Sequence, residues 1–174
     1  YIVGHDWGAA VAWHVAEKYP ERVKKMVVMN VPNGRVMAEH LKHNPAQRKK
    51  SWYMFFFQLP WLPEFLLSRK NWAYAVRMLQ SSSQDGAFTE ADLERYRKAW
   101  SQPRAFRSMI NWYRAFLQST PTAGKSSTAA KITVPTLLIW GKQDSALGSE
   151  MAQPSIDLCE DGQLVFFEQA THWV

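Results

Sequence analysis

The chain has 174 residues and a formal net charge of +6, with 47% hydrophobic and 21% charged residues, so it can bury a domain-sized core and is not a disordered chain. Its basic residues are scattered, apart from short clusters such as Arg48-Lys49-Lys50, which excludes a basic stripe for nucleic acid. No run reaches the roughly 20 apolar residues of a membrane helix, and the single cysteine, Cys159, excludes an internal disulfide and favours a reducing, cytoplasmic setting.

In chain order, Tyr1-Ile2-Val3 reads as the end of a buried strand and residues 8–18 as a helix, stopped by Pro20. The apolar run Met26 to Met29, bounded by charges and by Pro32, has the length of a fully buried strand. Strand, helix, strand is the unit of a parallel sheet, so the fold class is α/β. From residue 33 to about 130 the strand signal fades. Helix-compatible aromatic segments replace it: WYMFFFQLPWLPEFLL, NWAYAVRMLQ, TEADLERYRKAW and AFRSMINWYRAFLQ. Thr89, with Asp92 three residues on, has the pattern of a helix cap. The small-residue stretch TPTAGKSSTAAK, at 120–131, reads as a linker.

The sheet pattern resumes at ITVPTLLIWGKQD, with a buried strand from Leu137 to Trp140. Residues 148–159 are helix-like, although Pro154 interrupts them, and QLVFFEQATHWV reads as a strand followed by a loop that carries His172. The expected organisation is a core at 1–32, a helical insertion at 33–130 and the rest of the core at 131–174. Nine tryptophans among 14% aromatic residues predict an aromatic-lined cavity or a ring-rich core. No Cys/His cluster has metal-ligand spacing, and neither metal nor organic cofactor is expected.

Gly4-His5-Asp6-Trp7-Gly8 lies where the first strand turns into a helix. Such an elbow lifts one side chain off the sheet, and the glycines are expected there because larger residues would clash. The side chain lifted is a carboxylate, ionised near neutral pH because its reference pKa is about 3.9, and therefore able to attack without a base. The N–H of Trp7 follows it at the helix N-terminus, where it can donate to an oxyanion. Asp144 and His172 each follow a predicted strand end, in the order nucleophile, acid, histidine.

These residues, HDWGA at 5–9, WGKQD at 140–144 and ATHWV at 170–174, resemble the α/β-hydrolase superfamily and, within it, the epoxide hydrolases that use an Asp nucleophile. The resemblance covers essentially the whole chain and implies the second half of a mostly parallel sheet with an inserted helical cap. It implies an Asp6 alkyl ester, cleaved by water that His172 activates while Asp144 orients the imidazole. The family's upstream HG-x-P loop, which supplies a second oxyanion donor, is absent here. The chain therefore reads as a piece lacking the N-terminal part, expected to be poorly soluble and inactive alone.

An epoxide leaves as an alkoxide and needs a proton donor, whereas a halide needs none. AFRSMINWYRAFLQ resembles the family's cap helix with an N-[WY]-Y-R pattern, which makes Tyr113 one of two activating tyrosines. The resemblance places the other a few residues before a Phe-Gln pair, and Phe57-Gln58 puts Tyr53 there, one helical turn before Phe57 so that both can face one cavity. Trp7 and Phe57 are expected to line the substrate pocket between lid and sheet. Arg114 is expected to anchor the cap helix and His5 to pack or hydrogen-bond near the elbow. The partners implied are a small apolar epoxide and water, and the oligomeric state stays unknown. Two alternatives remain open: a haloalkane dehalogenase with the same triad, and a hydrolase-fold protein that binds a small apolar ligand without turnover.

Overall fold

A computed structural model describes residues 1–119 and 131–174. Apart from Lys131, the predicted linker at 120–131 lies outside the described residues, as does the predicted boundary at residue 130. Strand β1 (Ile2–His5) runs into helix α1 (Trp7–Lys18), and the chain returns through β2 (Met26–Met29). Two helices follow, α2 (Gly34–His43) and α3 (Pro45–Lys50). Next come α4 (Trp52–Phe56), α5 (Leu62–Ser81), α6 (Glu90–Trp100) and α7 (Ala105–Ser119). Strand β3 (Thr136–Gly141), the short helix α8 (Ala152–Ile156) and strand β4 (Gly162–Phe167) complete the described chain.

The four strands form one parallel sheet in the order β1-β2-β3-β4, with Val3 opposite Val27, Val28 opposite Leu138, and Leu138 opposite Leu164. Parallel pairing requires crossovers, and the first is α1. Its Ala9, Ala12, Trp13 and Ala16 recur at helical spacing and are almost fully buried, so small residues let the helix lie close to the sheet. At Gly4 a Cβ would come within 2.5 Å of the Gly8 carbonyl oxygen, so glycine is required for strand and helix to meet. Gly8 differs from the expectation of a clash on both sides. A Cβ there meets nothing within 4 Å, because the residue faces outward on the first turn of α1.

Contacts divide the chain into two compact units. One holds Tyr1–Lys50 with the described residues from 131 onward, and the other begins at Ser51 and runs through α7. The division therefore falls after Lys50, whereas the sequence pattern places it after Pro32. Side chains explain the difference. Asn33 caps α2 by accepting from the Arg35 N–H at 2.9 Å, and its Nδ2 donates to Glu17 of α1 at 3.0 Å. Gln47 of α3 is fully buried; it donates to the Ala146 carbonyl and accepts from the Gly148 N–H, each at 2.9 Å. These bonds fasten α2 to α1, and α3 to the loop that follows β3.

The second unit is helical and closes on a core of Phe57, Leu67, Val76, Leu93, Trp100 and Ile110 with further rings packed around it. Helix α5 is interrupted at Lys70, Asn71 and Trp72, which have φ of 51°, 53° and 65°, so the two helical segments expected from the sequence remain distinct. Helix α6 opens on the predicted cap: the Thr89 hydroxyl accepts from the Asp92 N–H and the Asp92 carboxylate accepts from the Thr89 N–H. In the region 148–159 a single 3-10 turn, Ser149–Met151, leads into the short α8. Pro154 sits in its first turn, where a missing N–H costs nothing. Among the described residues no helix is long and apolar enough to cross a membrane.

Candidate active site

Each strand of a parallel sheet delivers the residue that follows it to the same edge, where ligands bind in open α/β sheets. Asp6 follows β1, Asn30 follows β2, Asp144 lies three residues beyond β3, and His172 lies on the loop after β4. The sheet therefore gathers residues 166 positions apart in sequence.

Asp6 has φ 51° and ψ −128°, a strained conformation that a non-glycine residue adopts only where its surroundings impose it. The side chain is 47% exposed and stands at the N-terminus of α1. His172 links the two carboxylates. Its Nδ1 donates to Asp144 Oδ2 at 2.7 Å, and its Nε2 lies 3.4 Å from Asp6 Oδ1. The Asp144 side chain is only 1% exposed, and four donors surround it: His172, Asn30 Nδ2 at 2.9 Å, and the N–H groups of Ala146 and Leu147 at 2.8 and 2.9 Å. Lys50 Nζ donates to the Asp144 backbone carbonyl at 3.2 Å.

The charges follow from this geometry. Burial alone would raise the Asp144 carboxyl, but the hydrogen bond and charge of His172, with the Leu147 N–H and Asn30, hold it below the usual value. Burial likewise opposes ionisation of Asp6, and His172 outweighs it, aided by the Trp7 N–H, so Asp6 is also held low. For His172, burial would lower the imidazole, yet hydrogen bonds and charge from Asp144 and Asp6 push it up to about 9. Two carboxylates thus hold an imidazolium between them at neutral pH.

His5 does what was expected of it near the elbow: its Nε2 lies 2.8 Å from the His172 carbonyl oxygen, and the two rings are 4.8 Å apart. Gly141 brings the acid strand and the histidine loop together, since a Cβ there would overlap the Thr171 carbonyl oxygen. Asn30 is the member of this cluster that the sequence pattern did not single out. It is fully buried with φ 51°, and its signal was available: a polar residue placed directly after an apolar strand.

In the helical unit, Tyr53 and Tyr113 stand edge to face with ring centroids 5.6 Å apart, and Phe57 lies 4.9 Å from Tyr113. The structure thus brings these three rings together, whereas spacing alone had joined only Tyr53 and Phe57. Arg114 is the anchor expected of it, donating to the Phe57 and Leu59 carbonyls at 2.9 and 2.8 Å and to Glu64 at 2.7 Å. A cavity of about 680 Å³ in the same unit is lined by Trp61, Trp72, Trp100, Phe106 and several arginines, but not by Tyr53, Phe57 or Tyr113. Among the described residues no group of three His, Cys, Asp or Glu side chains could hold a metal ion.

The chain is similar to known proteins. The chain is 39% identical over 173 residues to the AB hydrolase superfamily protein YfhM of Bacillus subtilis (strain 168), covering 99% of this chain and 59% of that protein. It is 36% identical over 179 residues to Epoxide hydrolase 4 of Homo sapiens, covering 99% of this chain and 48% of the relative. The chain thus spans about half the length of the curated relatives it matches. The crystal structure of a Bacillus megaterium epoxide hydrolase in complex with an inhibitor superposes with a TM-score of 0.82 at 25% identity, covering 98% of this chain and 61% of that one. A family model described as the alpha/beta hydrolase fold matches residues 1–174, and with its parallel sheet and strand-to-helix elbow this chain belongs to that family.

Proposed function

We propose that the protein hydrolyses small apolar epoxides to vicinal diols through an ester on Asp6, without metal or cofactor. The observation that carries this reading is the contact pattern of His172, 2.7 Å from one carboxylate and 3.4 Å from the other. The relatives named epoxide hydrolases support the substrate class. The lone Cys159, free and buried, supports the cytoplasmic location that belongs to the same reading.

In the first step an Asp6 oxygen attacks an epoxide carbon, the ring C–O bond breaks, and Tyr113 or Tyr53 gives its phenolic proton to the alkoxide formed. A phenol, with a pKa of about 10, is matched to that task. Trp7 and Phe57 line the substrate pocket in this reading. Esterification removes the Asp6 charge, so His172 loses one of the two groups that raise it and falls from about 9 toward its ordinary value. It gives its extra proton to solvent, acts as a base in the neutral form, and regains that proton from solvent once Asp6 is ionised again.

In the second step His172 takes a proton from water, the hydroxide attacks the Asp6 ester carbon, and the Trp7 N–H meets the oxyanion. Collapse expels the product oxygen, which takes the proton from His172. The Asp6 acid that remains ionises, since His172 holds its pKa low, and its proton restores the tyrosine.

The test is to convert Tyr113 and Tyr53 to Phe, singly and together, in the whole protein. Single variants should lose about 10²-fold or more in epoxide opening. Turnover of a chloroalkane, if the parent has any, should survive. An epoxide rate unchanged in the double variant would remove the tyrosines from the mechanism. Faster chloroalkane than epoxide turnover in the parent would make the protein a haloalkane dehalogenase.

A further inference from the structure

Asn30 is placed to serve more than the packing of β2. It follows that strand directly, and its φ of 51° is one that asparagine tolerates better than most residues. Its side chain is buried and fully used. Oδ1 accepts from the Gly141 N–H at 2.9 Å, which fixes the orientation of the amide and turns its NH₂ toward the site. Nδ2 then donates to Asp144 Oδ2 at 2.9 Å and to the Thr171 carbonyl at 3.2 Å, with the Gly141 carbonyl at 3.4 Å. One amide therefore touches the end of β3, the acid and the residue before His172. The oxygen it donates to is also the one that receives the His172 Nδ1–H.

We infer that Asn30 is a positioning residue for ester hydrolysis, holding the Asp144 carboxylate and the His172 loop in one frame and acting through them. The inference rests on the reaction proposed above. Attack by Asp6 needs no base, so Asp144 and His172 become essential only once the ester exists. Removing the amide should therefore slow the second step and spare the first. A hydrogen bond to a charged group is worth enough that its loss corresponds to a ten- to hundredfold slower hydrolysis.

The experiment is rapid-quench kinetics with styrene oxide on the whole protein, comparing the parent with Asn30→Gly and Asn30→Ala. The first variant tolerates the left-handed backbone, and the second keeps a Cβ but loses the acceptor and both donors without setting a second carboxyl beside Asp144. In both, the burst of ester per active site should persist and form within about threefold of the parent rate, while hydrolysis falls ten- to hundredfold. Steady-state kcat and KM should then fall together, leaving kcat/KM nearly unchanged. Hydrolysis at the parent rate in both variants would overturn the inference. So would an equal loss in both steps or a shrunken burst, which would mark Asn30 as structural only. If Asn30→Ala does not fold at this positive φ, Asn30→Gly decides alone. A parent that forms no ester overturns the proposed reaction itself, and the inference with it.

Discussion

The sheet unit and the helical unit bring their candidate site residues together in different ways. At the sheet edge each group answers to a named atom: Asp144 Oδ2 takes His172 and Asn30, and Asp144 Oδ1 takes two backbone N–H groups. In the helical unit, Tyr53, Phe57 and Tyr113 meet through ring contacts at 4.9 to 5.9 Å, which depend on shape. Loss of one hydrogen-bonding atom at the sheet edge should therefore spread through the cluster. Loss of a phenolic oxygen among the rings conserves their packing, so Tyr→Phe variants should keep the fold and report on chemistry.

The largest effect should come from Asp6→Asn, which removes the attacking charge. Diol formation by the whole protein should drop at least about 10⁴-fold, with unchanged circular dichroism. Residual turnover near the parent level would break the contrast, because the chemistry would then lie elsewhere. Next, Leu93→Ala in the helical core, where Leu93 is 2% exposed, should cost about 2–5 kcal/mol in denaturant titrations. Diol formation under native conditions should stay within a few-fold of the parent if the helical unit contributes packing more than precise hydrogen bonds.

The smallest effect is a pH dependence that belongs to the sheet unit. His172 is raised when folded, from 6.5 to about 9, so its contribution is complete below about pH 6.5 and is lost as the pH climbs toward 9. Stability should fall on the order of 2–3 kcal/mol across that window. Asp6 and Asp144 act in the opposite sense: both are lowered, so their contribution is present above 3.8 and lost in acid below it. Melting followed from pH 6 to 9.5 should show the decline in the parent and a flatter profile in His172→Gln. Equal slopes in the two proteins would detach the imidazole from both carboxylates.

Much of the site was legible because its signals are local. A glycine before the carboxylate, an apolar strand before each functional residue, and the order of Asp6, Asp144 and His172 are all visible within short windows. Asn30 was not singled out because nothing in Met26-Val27-Val28-Met29-Asn30 says which neighbour its amide will meet; that depends on the register of β2 against β3. The long-range contacts of α3 were hidden for a similar reason. PAQRKK looks solvent-facing, yet its Gln47 is buried by two long-range hydrogen bonds to the loop after β3. Gly8 taught a different lesson: a glycine in a motif need not be there for want of space.

The most direct measurement is the fate of solvent oxygen. The whole protein, turned over repeatedly on styrene oxide in water enriched with oxygen-18, should acquire the isotope in the peptide that carries Asp6. The diol from a first, single turnover should carry unlabelled oxygen taken from that carboxylate. Label in the first-turnover diol and none in Asp6 would mean that water attacks the epoxide directly, and the covalent account would be contradicted.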